Sequence, residues 1–156
     1  MTEIDRDREA SRGRLPALQG TLTLHKLRAA FLHDAGRRQL YGYLAQLADI
    51  EGHPESATLL RELAESSGLL ADGHLDLMRR LGDPLTGLPM GSALQSMRAV
   101  GAGLAGEVET ELLGAAETAT SEGFPDVASW FQSVRALRAA HLARAAAHAD
   151  RLMEAP

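Results

Sequence analysis

Arg138 and His141, in the stretch VRALRAAH (134–141), lie three residues apart on a helix face whose other positions are mostly apolar. Similar polar intrusions occur at Asp34, Ser67, His74, Glu107 and Glu111. Acids and histidines that project inward at mid-height between helices are the usual donor set for a pair of divalent metals. A guanidinium among them points to another chemistry, because it pairs with carboxylates and supplies the counter-charge itself. Asp34, Glu107, Arg138, His141, Glu111 and His74 are therefore the candidate core polar cluster. Plainer readings stand beside these. Arg138 at the seam's edge can reach solvent along its methylenes, His141 can be a hydrogen-bonded core histidine, and Asp34 can form a local polar pair with His33. Glu107 and Glu111, one turn apart, with His74 and either Asp34 or His141, would make a shifted single-metal site.

The elements that must position these residues follow from periodicity. Leu27, Phe31, Asp34, Arg38, Tyr41, Ala45 and Ala48 recur with 4-3-4-3 spacing and predict a long first helix from Thr21, closed by Gly52. A second helix is expected over 55–81, with a seam of Leu60, Leu63, Ser67, Leu70, His74, Leu77 and Leu81. After the break GDPLTGLPMG, a third carries Ala93, Met97, Val100, Leu104, Glu107, Glu111 and Gly114. The fourth carries Val127, Phe131, Val134, Arg138, His141, Ala145, His148 and Leu152. IEGHPESATLL and SEGFPDVASWF share E-G-x-P at an offset of 71 residues, so the chain reads as a duplicated helical hairpin. The expected fold is all-α: a four-helix bundle over 21–152, with one long crossover between the halves, preceded by a flexible tail over 1–20. About ten extended residues span roughly 33 Å, enough for such a crossover.

Over residues 22–152 the chain resembles the rubrerythrins of the ferritin-like superfamily. LRAAFLHDAGRRQLYGYLAQLADIEG is similar to that family's first helix, and Asp34 stands at its Glu ligand position. LAESSGLL matches the second helix, where Ser67 and Leu70 replace Glu-x-x-His. Leu104 and Glu107 stand at the Glu-x-x-Glu of the third, and Arg138 and His141 at the Glu-x-x-His of the fourth. The resemblance implies a largely lost diiron ligand set, with Asp34, Glu107 and His141 retained. Charge counting then makes Arg138 the expected counter-charge to Asp34 and Glu107 in place of the metals.

Two functions follow as expectations. One is a non-catalytic binding or assembly module without a cofactor, working as a homodimer with a protein partner or small ligand. The other is a dimetal oxidoreductase, using iron or another divalent metal to reduce peroxide or activate oxygen through a substituted ligand shell. Its electrons would come from a separate protein, since the 156 residues contain no cysteine for a rubredoxin module.

Composition narrows the field further. The absence of cysteine excludes disulfides, thiolate-ligated zinc, iron–sulfur clusters and thiol nucleophiles within these residues. A net charge of -5 argues against nucleic acid as partner. No apolar run approaches the length of a membrane span, and a cytoplasmic protein is expected.

Overall fold

The computed structural model describes residues 18–154. The expected tail over 1–20 lies, up to residue 17, outside the described residues. The fold is all-α, with no strand among the described residues. Helix α1 spans Leu22–Ile50 and α2 Pro54–Met78; α3 spans Ala93–Gly106, α4 Leu112–Ser121 and α5 Pro125–Glu154. A π-helical turn, Glu107–Glu111, joins α3 to α4. The chain divides into two compact units, 1–84 and 85–156, and each contains one helical hairpin.

In the first hairpin, the Thr21 hydroxyl caps α1 by accepting the Leu24 N–H at 3.2 Å. This satisfies one of the donors a helix start leaves without an intrahelical partner. The helix ends where Gly52 takes φ 81°, a left-handed conformation that costs glycine nothing. His53 N–H then donates back to Ala48 O at 2.8 Å, satisfying a terminal carbonyl. Pro54 opens α2, a position that needs no N–H.

The second hairpin repeats this turn 71 residues later. Gly123 has φ 84°, Phe124 N–H donates to Ala119 O at 2.8 Å, and Pro125 opens α5. Ala45, Ala48 and Ala57 are buried, as are their counterparts Ala116, Ala119 and Ala128. The duplicated E-G-x-P motif is thus a duplicated turn with a duplicated small-residue contact around it.

Three expectations about the elements need correction. Within the hairpin, the expected seam of the second helix is only partly the contact face: Ser67 is buried as expected, but Leu63, Leu70 and Leu77 are exposed, whereas Ala57, Gly68, Ala71 and Met78 are buried. Close antiparallel approach selects small side chains and turns the bulky leucines aside. At Gly68 the Arg38 side chain lies across the glycine, so that a Cβ there would lie 3.1 Å from Arg38 Cδ. The second helix also ends at Met78, short of 81, in a turn where Leu81 N–H donates to Met78 O. Finally, the third helix is interrupted at Glu107–Glu111, where Leu112 N–H donates to the carbonyl of Glu107, five residues back.

Candidate functional site

Within the first hairpin, Asp34 is the one charged residue that is buried among the described residues. Burying a carboxylate is costly unless it is hydrogen-bonded, and both oxygens of Asp34 have partners. Arg37, one turn along α1, donates from Nη1 to Oδ1 at 3.2 Å. His74 of α2 lies with Nε2 3.1 Å from Oδ2. A carboxylate is an acceptor, so Nε2 is the protonated nitrogen of this contact. Ser67, two turns before His74 on α2, is buried, while Leu70 is exposed.

Within the second hairpin, Arg138 Nε donates to Glu107 Oε2 at 3.0 Å, and both side chains are partly exposed. One turn back on α5, Arg135 Nε donates to the carbonyl of Val108 at 2.7 Å. The two arginines thus hold the start of the π-helical turn, one by its side chain and one by its backbone. His141 lines a groove between α3 and α5, and Glu111 is exposed at the end of the π turn. Of the six expected cluster residues, then, two pairs meet: Asp34 with His74, and Glu107 with Arg138.

Arg37, Arg135 and the π turn were not expected from the sequence. Arg37 and Arg135 occupy helix positions that read as ordinary solvated charge. The π turn did leave a trace: Asp34 lies 18 residues before Gly52, while the buried Leu104 lies 19 before Gly123. The extra residue in the second hairpin is what a single π turn absorbs.

The donors within each hairpin do not fit a dimetal centre. Asp34 is paired with a guanidinium and an imidazole, Glu107 is engaged by a guanidinium, and Arg138 stands one turn before His141, where a ligand acid would be needed. Among the described residues, no group of three or more His, Cys, Asp or Glu side chains is placed to hold a metal ion. What the arrangement can do without a metal is neutralise inward carboxylates with internal cations.

The fold and these pairs define a class: an all-α protein of duplicated helical hairpins, each holding a charge-paired acid. The chain is 29% identical over 134 residues to a rubrerythrin of Porphyromonas gingivalis, an alignment covering 80% of this chain and 64% of that protein. The likeness is distant, and the chain spans less than two thirds of that relative's length. No family profile matches the chain. No helix among the described residues is long and apolar enough to cross a membrane.

Proposed function

We propose that this is a rubrerythrin-like protein in which internal cations replace the metals, and that it works as a homodimeric binding or assembly module. The observation that carries this reading is the Arg138–Glu107 pair at 3.0 Å. The resemblance aligns Arg138 with an acidic ligand of the family, and its pairing with Glu107 supports an internal cation in that role. A carboxylate-rich dimetal cage needs its cations to be stable, whereas an acid already paired with a guanidinium does not. Asp34, held by His74 and Arg37, supports the same reading in the other hairpin.

The test is elemental analysis of protein purified from iron-supplemented cells, with thermal melting before and after treatment with EDTA. The reading expects substoichiometric iron, manganese and zinc, and a melting temperature that chelation does not move. Two metals per chain, or a large loss of stability on chelation, would overturn it in favour of the dimetal oxidoreductase.

A further inference from the structure

A groove of about 390 Å³ opens in the second hairpin between α3 and α5, lined by Met97, His141, Arg144, Ala145, His148 and Arg151 among others. Its charged and polar lining is wholly basic: two arginines and two histidines, with no acid. This departs from the chain's net charge of -5. The facing element reinforces it, since residues 85–106 contain no Asp or Glu and one Arg, Arg98.

The spacing on α5 matters as much as the charge. Arg144, His148 and Arg151 follow i, i+4, i+7 and so rise along one face, with His141 a turn before them. Arg144 and Arg151 start about 10 Å apart along the helix axis, near enough for long side chains to close on one ligand. Arg151 Nη2 lies 3.2 Å from His148 Nδ1. Nδ1 accepts there, which leaves His148 Nε2 as a further N–H donor. Met97 and Ala145 supply an apolar wall. The groove's volume is at the small end of the range for small-molecule sites.

We propose that this groove binds a small phosphate-bearing organic molecule of the nucleoside diphosphate class. The guanidinium groups of Arg144 and Arg151 and the imidazoles of His141 and His148 would take its phosphate oxygens, and its organic body would rest against Met97 and Ala145. Guanidinium forks match phosphate oxygens in pairs. The apolar wall is what separates this class from inorganic phosphate alone. The proposal gives a ligand class to the binding role above, but it uses neither Glu107 nor Arg138. Iron in the purified protein would defeat that role, whereas this groove is read separately, by ADP binding through Arg144 and Arg151.

The experiment is isothermal titration of the full chain with ADP and with inorganic pyrophosphate, alongside the Arg144→Gln/Arg151→Gln variant. Both arginines are exposed, and glutamine keeps helix propensity, so circular dichroism should match wild type. ADP should bind more tightly than pyrophosphate, and the double variant should weaken both at least about tenfold. An Arg79→Gln/Arg80→Gln variant, altered in the other hairpin, should bind as wild type does. Methyl-labelled Met97 should shift in the NMR spectrum as ADP is added. Undiminished binding by the Arg144/Arg151 variant, no heat from either probe, or a Met97 signal that stays still would each overturn the proposal. Pyrophosphate binding as tight as ADP would overturn the organic part of it.

Discussion

The two hairpins share a turn and differ in the polar pair each one holds. In the first, a buried aspartate takes an imidazole from the facing helix and a guanidinium from its own. In the second, a half-exposed glutamate takes a guanidinium from the facing helix, and the glutamate's own helix carries an extra residue in a π turn. Backbone geometry at the turn was kept while side-chain chemistry at mid-helix diverged. Turn geometry depends on a few residues with special backbone needs, such as Gly52 and Gly123. The polar pair depends on charge compensation, which different residues can supply.

The kept part is tested most severely at the buried alanines. Ala45→Leu and Ala116→Leu each force a branched side chain into a close helix contact, and each should cost roughly 3 kcal/mol. Hydrogen exchange read separately over 22–78 and 93–154 measures both. Equal losses would uphold the equivalence of the two contacts; an effect confined to one hairpin would break it.

The diverged part is tested next at His74. His74→Ala removes the partner of Asp34 Oδ2 and leaves a buried carboxylate with Arg37, which is itself more than half exposed. The expected cost is about 2 kcal/mol, because a hydrogen bond to a charged group is lost while the acid stays buried. Asp34→Asn combined with His74→Ala should recover part of that loss in denaturant titration. No recovery would mean that His74 acts through packing rather than through Asp34.

The turn glycines give a smaller effect. Gly52→Ala and Gly123→Ala each place a Cβ at positive φ, at a cost of about 1 kcal/mol. Neither glycine has an atom within 4 Å of such a Cβ, so the cost is conformational and should be the same in both hairpins. Unequal shifts in melting temperature would show that the two turns are not energetically alike.

How much of this could be read in advance follows the same division. E-G-x-P announced both turns, because glycine and proline carry their backbone requirements in their identity. The helices were legible from their apolar spacing, but which face is buried within a hairpin was not. Leu63, Leu70 and Leu77 made the strongest pattern on the second helix, while the close contact falls on Ala57, Gly68 and Ala71, which carry little hydrophobic signal. Asp34, Glu107 and Arg138 stood out as polar residues on apolar seams. Their partners were harder to see, because Arg37 looks like any surface arginine until Asp34 is known to be buried. Arg135 likewise means nothing until the Val108 carbonyl is displaced into its reach.

The smallest expected effect separates the two roles of the α5 arginines. Arg138→Ala removes a partly exposed ion pair and should cost under about 1 kcal/mol, since solvent screens such pairs. Arg138→Glu should cost more, because it sets two acids against each other on facing helices in place of an attraction. Arg135→Ala removes a hydrogen bond to a backbone carbonyl inside the π turn, so its effect should appear as faster amide exchange over 107–112. If Arg138 is what fixes the π turn, Arg138→Ala will speed the same amides as strongly as Arg135→Ala does. If the pair acts as a counter-charge, as proposed, the amides will respond to Arg135 and global stability will respond to the sign of the charge at 138.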